Sequence, residues 1–377
     1  MSTSMTSRER IVRAMNFQET DRVPVDFGGT VVTCIDGSAH RNLCEYFGIK
    51  APETPIIDWT MGTVEPCDEL KIKFESDVRR VGMNVIPPKI VNDRFRDGFG
   101  MLLQQARPHA YFDVIEHPLE DAEIEDIANM QMPDPDDPAL YAGLDDRARD
   151  LYENSPYAVV LDFGVPGFYE TSQKLLGYEG LACALIDEPE VVEALYDRLL
   201  ELQKRYWKNY LEKAGKYVQV VCYADDLGMQ DRPQMSPALY REMIKPYHKQ
   251  IFTFIHEHTD AKLLLHSCGA VEPLIDDLID AGVNVLNPLQ TRAKGMVPEE
   301  LAVKYRGRVA FWGGVDEQQI LPYGTPEEVR AETRRMKRAF QQTSGYVLAP
   351  SHNIQSDVPP VNLAAMYSEA LDKTIIV

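Results

Sequence analysis

The chain has 377 residues, more than a usual single domain, yet a (β/α)8 barrel carrying insertions reaches this size as one unit, so a single domain over 1–377 is expected. Hydrophobic residues make up 44% and charged residues 26%, as in an ordinary globular protein, and no window approaches the roughly 18 uninterrupted apolar residues that a membrane helix needs. A formal charge of −20 with no Lys/Arg-rich patch argues against nucleic acid or anionic lipid as partners, and the polar first ten residues lack an apolar signal core, so the expected setting is cytoplasmic.

Along the chain, short apolar runs ending in Gly, Pro, Asp or Asn alternate with helical patterns, which is the mark of repeated β-α units and a parallel sheet. Eight such runs are predicted as strands: Arg22 to Phe27, Val81 to Ile86, Ala158 to Phe163, Tyr217 to Tyr223, Ala261 to His266, Val283 to Asn287, Arg308 to Trp312 and Gly345 to Ala349. Helices are predicted over Glu188 to Glu212, Pro237 to His258, Val271 to Ala281, and Pro326 to Gln342 with Thr325 as N-cap. Eight strands separated by helices favour a closed α/β (β/α)8 TIM barrel over an open sheet. The stretch Val31 to Lys73 reads as helices and loops, and Phe95 to His117 alternates like a β-hairpin, so both are expected to decorate the barrel as insertions. The acidic, proline-bearing run Asp121 to Pro138 reads as a surface connection.

In such a barrel the chemistry sits at the C-terminal ends of the strands, so polar residues that end apolar runs matter most. In order they are Asp26, Asp162 with Glu170 in the following loop, Tyr223-Ala-Asp225-Asp226, His266-Ser-Cys268, Asn287 and Gln290, Gly313-Gly314 with Asp316, and Ser351-His352-Asn353. His266 and Cys268, two apart at a strand end, can share one ion. Zinc suits mixed nitrogen and sulfur ligands, and His352, ending the last strand, is the natural third ligand. A His-x-Cys pair is equally at home as a buried, hydrogen-bonded strand end. Asp225-Asp226 can cap a loop or helix as readily as act in catalysis, alongside Glu170. Gly313-Gly314 fits a tight turn, and also a backbone brought close to a bound cofactor. Trp59, Tyr223, Met229, Trp312 and Tyr346 lie where an aromatic substrate could stack, although such residues more often belong to the core. His256 and His258 fall on a helix and read as surface. Of the six cysteines only Cys268 sits beside a histidine in sequence; the rest read as free thiols or metal ligands.

Taken together, several segments resemble the uroporphyrinogen decarboxylase superfamily, and in particular its cobalamin-dependent methyltransferase branch. They are Thr6-Ser-Arg-Glu-Arg-Ile-Val-Arg-Ala-Met15 with Asp21-Arg-Val-Pro24, Phe74-Glu-Ser-Asp77, Asp187-Glu-Pro-Glu190, Asp225-Asp-Leu-Gly228, Met235-Ser-Pro237 with Ile244-Lys-Pro246, His266-Ser-Cys-Gly269 and Gly345-Tyr-Val-Leu-Ala-Pro350. The decarboxylases carry an Arg-Gln-Ala-Gly-Arg segment that holds substrate carboxylates; here the equivalent stretch reads Asp26-Phe-Gly-Gly-Thr30. The methyltransferase branch binds zinc through His-x-Cys and a distant cysteine, and His352 falls where that cysteine would be. The resemblance therefore implies a zinc-dependent methyltransferase that moves a methyl group from a methoxylated aromatic donor to the cobalt(I) of a corrinoid protein. Asp225, Asp226 or Glu170 would orient the donor or relay a proton, and the enzyme would be a monomer or homodimer. Transfer from a methylcorrinoid to a thiol or to tetrahydrofolate, and decarboxylation of a smaller substrate, are the alternatives.

Overall fold

The computed structural model describes residues 5–106, 111–165, 167–341 and 345–376. Seven parallel strands form one curled sheet: β1 (Val78–Val81), β2 (Ala158–Leu161), β3 (Val220–Ala224), β4 (Lys262–His266), β5 (Val285–Asn287), β6 (Ala310–Trp312) and β7 (Tyr346–Val347), adjacent in chain order. The eighth staple is the segment around Val25, which makes a single parallel bridge to Leu348. It is bonded on both sides, with Asp26 N donating to Leu348 O, Leu348 N to Pro24 O, and Asp77 N to Val25 O, each at 2.9 Å. The predicted strand Arg22 to Phe27 thus closes the barrel, reduced to one residue of ladder.

Strand alternation sorts the core into two layers. Ala158, Val160, Val220, Cys222, Leu264, Val285, Ala310, Trp312 and Val347 fill the barrel interior, and their neighbours Val159, Leu161, Val221, Tyr223, Leu263, Leu265 and Phe311 pack outward under the helices. Helix α1 (Ser7–Met15) sends Ile11, Ala14 and Met15 into the interior cluster and so plugs the N-terminal mouth. The C-terminal mouth is left for chemistry.

The second strand departs from expectation. The paired residues are Val78–Val81, not Val81 to Ile86; Val85 and Ile86 are exposed. Two arginines disguise the strand. Arg80 is sunk against Asp162 (2.7 Å), and Arg79 lies over the Tyr157 ring at 3.6 Å. Among the helices, α2 (Phe168–Leu176) follows β2, and the predicted Glu188 to Glu212 is α3 (Pro189–Ala214). The predicted Pro237 to His258 is interrupted by a π turn over Tyr240–Ile244 before α4 (Lys245–His258), because Pro246 has no N–H to give to the carbonyl four residues back. Val271 to Ala281 starts as a 3-10 turn at Pro273. Helix α5 (Pro326–Phe340) has the expected Thr325 cap, within a capping box closed by Glu328; Gln342 lies outside the described residues. Helix α6 (Pro360–Ala370) packs beside it.

Both insertions contain more sheet than expected. Residues Ile35–Asp36, Ile56–Asp58 and Thr63–Val64 form a small antiparallel sheet beside a helix over Gly37–Tyr46. The hairpin region is three-stranded: Arg94–Arg96, Leu102–Gln105 and Phe112–Glu116. No helix among the described residues is long and apolar enough to cross a membrane.

Candidate metal centre

His266 ends β4, Cys268 follows two residues later, and His352 follows β7; their ligand atoms all lie within 4.8 Å of one another. Cys268 Sγ is 3.4 Å from His266 Nε2, and the two imidazole centroids are 5.4 Å apart. Nitrogen and sulfur held about 2.0 and 2.3 Å from one zinc ion at tetrahedral angles would be about 3.6 Å apart, so this spacing fits a shared ion.

Two asparagines set the rings. Asn287 donates through Nδ2 to Trp312 O (3.2 Å) and so presents Oδ1 to His266 Nδ1 at 2.5 Å. Asn353 donates to Thr63 Oγ1 (3.0 Å) and accepts from His352 Nδ1 and from the Tyr111 hydroxyl. In both histidines Nδ1 carries the proton and Nε2 keeps its lone pair free for a metal. Burial and the nearby His266 ring push His352 down to about 4, so this ring is neutral at physiological pH. The Cys268 thiol is pushed well up by burial and by the carboxylates of Asp226, Glu170 and Glu317. Surroundings that disfavour a lone thiolate are those that favour one paired with a dication.

The loop carrying Cys268 is wedged in place. Gly269 adopts φ +92°, and a side chain on it or on Gly228 would collide with the other's backbone at 2.4 Å or thereabouts, so the two loops can pack this tightly only as glycines. Ala270 N then donates to Met229 O at 2.7 Å. A pocket of about 550 Å³ opens above, lined in part by Met229, Cys268, Gln290, Glu317, His352 and Asn353.

The other predicted site residues divide. Asp226 reaches the cluster: its Oδ1 accepts from Cys268 N (2.8 Å) and lies 3.9 Å from His266 Nε2. Glu170, on the first turn of α2, is near enough to act electrostatically on Cys268 and pairs with Lys174 at 2.5 Å. Asp225 is fully buried, accepting from the backbone of Phe168, Tyr169 and Glu170 (3.1, 3.0 and 2.8 Å) and facing His248 Nε2 at 2.9 Å. Its carboxylate caps α2, the capping role weighed beside the catalytic one. Gly313 and Gly314 both have positive φ, and a side chain there would meet Pro350 and Asn287, or Met336 and Leu289, so both glycines serve close packing of protein atoms, as in the tight-turn alternative. Of the candidate stacking residues, Tyr223, Trp312 and Tyr346 are core, their polar ends bonded to Gln203, Asp26 and Gly313 O; Trp59 and Met229 remain partly open. His256 and His258 are exposed, as expected.

Sequence reasoning missed Glu317 and His248. Glu317 is half-buried, its Oε2 accepts from His352 N at 2.9 Å, its buried Oε1 has no partner among the described residues, and desolvation pushes its carboxyl well up. Its place three residues after Gly314, in a strand-end loop, is the signal that could have found it. His248 sits mid-helix, where nothing in sequence separates it from a surface histidine.

Comparison with known proteins agrees with this architecture. The chain shares its fold with a methyltransferase from Methanosarcina mazei, at a TM-score of 0.67 and 17% identity over 98% of this chain and 99% of that one. It is 26% identical over 183 residues to a uroporphyrinogen decarboxylase of Chlorobium limicola, covering 47% of each chain, and 26% identical over 187 residues to that of Ectopseudomonas mendocina, covering 48% of each. The chain thus matches about half the length of these curated relatives. The family profile for Uroporphyrinogen decarboxylase (URO-D) matches residues 114–372, most of the barrel including β2 to β7 together with His266, Cys268 and His352, and the chain belongs to that family.

Proposed function

We propose that the chain is a zinc-dependent methyltransferase that takes a methyl group from a methoxylated aromatic donor and passes it to the cobalt(I) of a corrinoid carried by a partner protein. The observation that carries this reading is the convergence of two imidazoles and one thiol at the barrel mouth, each imidazole turned by an asparagine so that Nε2 faces the others. Zinc bound there, with one thiolate in its shell, keeps a net positive charge and supplies Lewis acidity to the ether oxygen of the donor. A phenol has a pKa of about 10, so the phenolate is a poor leaving group unless its charge is met.

The protein's own residues do the rest. Asn287 and Asn353 are uncharged, so they orient both rings without adding negative charge around the ion. Asp226 accepts from the Cys268 backbone, and in this reading it and Glu170 orient the donor and return a proton to the departing phenolate. Phe163, edge-on to His266 at 5.8 Å, and Met229 offer apolar surface for an aromatic ring. In the transfer the methyl carbon moves from oxygen to cobalt, the bonding pair stays on oxygen, and the phenolate takes up a proton.

The names of the curated relatives suggest decarboxylation instead. That reading would require cations to hold substrate carboxylates. Asp58, Glu170, Asp226 and Glu317 act on the site's titrating groups, and Asp26-Phe-Gly-Gly-Thr30 replaces the arginine-bearing segment. The surroundings suit an uncharged donor.

The test is to mix zinc-loaded protein with cob(I)alamin and a panel of methoxylated aromatics and to follow methylcobalt absorbance. Methylcobalamin formation with at least one donor is expected. No change with any donor, together with demethylation of methylcobalamin by an added thiol, would reverse the assigned direction.

A further inference from the structure

A second group of metal-binding side chains lies away from the barrel mouth, in the insertion between the Val25 segment and β1. His40 and Cys44 are one turn apart on the helix Gly37–Tyr46, and Cys67 caps the helix Asp68–Lys73. All three are buried, and their ligand atoms lie within 4.8 Å of one another. Cys44 and Cys67 belong to the same hydrophobic core as Leu43, Phe47, Leu70 and Phe74.

The spacings are those of a coordination shell. Cys44 Sγ is 3.6 Å from His40 Nε2 and 3.9 Å from Cys67 Sγ. Ligands around one tetrahedral zinc ion would stand about 3.6 Å apart for sulfur and nitrogen and about 3.8 Å for two sulfurs. In the metal-free arrangement Cys67 N donates to His40 Nε2 at 3.2 Å, which satisfies the ring as an ordinary core histidine would be satisfied. A metal would take that lone pair.

We propose that His40, Cys44 and Cys67 form a second, structural zinc site. Binding releases the two thiol protons, and with all three ligands buried the site is set in the core, away from substrate. Its consequence for the barrel mouth is mechanical. The same insertion pairs with the segment that bears His352: Ile35 bridges Ile354, Asp36 N donates to Ile354 O, and Ile354 N donates to Cys34 O. Tying the two insertion helices together braces that pairing, and with it the third ligand of the first site.

The experiment reads metal binding on the full chain and does not depend on any activity. Cobalt(II) is titrated as a probe into wild type and into the Cys268→Ala/His352→Ala variant, with thiolate-to-cobalt charge-transfer absorbance and bound metal measured together and folding checked by circular dichroism. Wild type is expected to take up about two equivalents, the double variant about one that still shows thiolate bands, and adding Cys44→Ala to the double variant should remove it. If the double variant folds poorly, wild type alone decides. Two bound cobalt ions with charge-transfer intensity for about three thiolates support the site. A single ion with the intensity of one thiolate overturns it, and so does a folded Cys44→Ala protein that still binds two.

Discussion

Asn287 and Asn353 do at the residue scale what decides whether His266 and His352 are ligands or merely core histidines. Each amide has its NH2 committed elsewhere, to Trp312 O and to Thr63, and so must offer oxygen to Nδ1. Replacing Asn287 by alanine leaves His266 free to rotate or to change tautomer. Zinc affinity is expected to weaken about 10- to 100-fold, measured by competition with a chromophoric chelator. An unchanged affinity would mean that the ring is held by packing alone. At this scale the site was partly legible. His266, Cys268 and His352 could be picked out because each ends an apolar run. Glu317 stood in a strand-end loop but ends no apolar run, and the Cys44–Cys67 contact was out of reach, because two thiols 23 positions apart are joined only by the fold.

At the scale of elements, Asp225 links β3 to α2 and α4. Three backbone N–H groups at the start of α2 and the His248 ring all end on one buried carboxylate, and His248 passes the chain on to the Tyr240 hydroxyl at 3.0 Å. Asp225→Ala would strip the cap and leave His248 buried without its partner. A loss of about 3–5 kcal/mol in urea unfolding is expected, with zinc content per folded chain retained. A loss under about 1 kcal/mol combined with abolished methyl transfer would return Asp225 to the catalytic group. Sequence patterns found elements by their apolar periodicity, and they failed where polarity was buried. β1 was placed too late because Arg79 and Arg80 sit inside it, one stacked on Tyr157 and one neutralised by Asp162. The π turn before α4 follows from Pro246, a signal that was visible and was read as an uninterrupted helix.

Over the whole molecule the barrel is sealed at its thinnest seam by Asp26. Its backbone bonds Leu348, its carboxylate accepts from Trp312 Nε1 (2.8 Å) and Gly29 N (2.7 Å), and its carbonyl accepts from the Tyr367 hydroxyl on α6 (2.7 Å). Burial raises this carboxyl from 3.8 to about 6, against the opposing pull of those hydrogen bonds. Between about pH 4 and pH 6 the folded chain therefore holds a proton that the unfolded chain has lost, so this group's contribution to stability falls as pH rises through that window. The stability of wild type relative to Asp26→Asn should drop by about 2 kcal/mol from pH 4 to pH 7, read from urea midpoints. Parallel curves would contradict the assignment. The eight-unit barrel itself was legible in sequence, since β-α alternation survives even where one strand shrinks to a single bridge. The small sheet of the first insertion was not, because its two- and three-residue strands carry too little periodicity to register, whereas the longer strands of the second show in the alternation of Phe95 to His117.

The account rests on one claim about charge: two imidazoles and one thiolate leave the ion electrophilic enough to draw electrons from an ether oxygen. His352→Cys tests this directly by adding a second thiolate while keeping a ligand in place. With zinc content matched and the best methoxylated donor of the panel, single-turnover methylcobalt formation is predicted to slow about tenfold or more relative to wild type. A rate equal to or faster than wild type would contradict it.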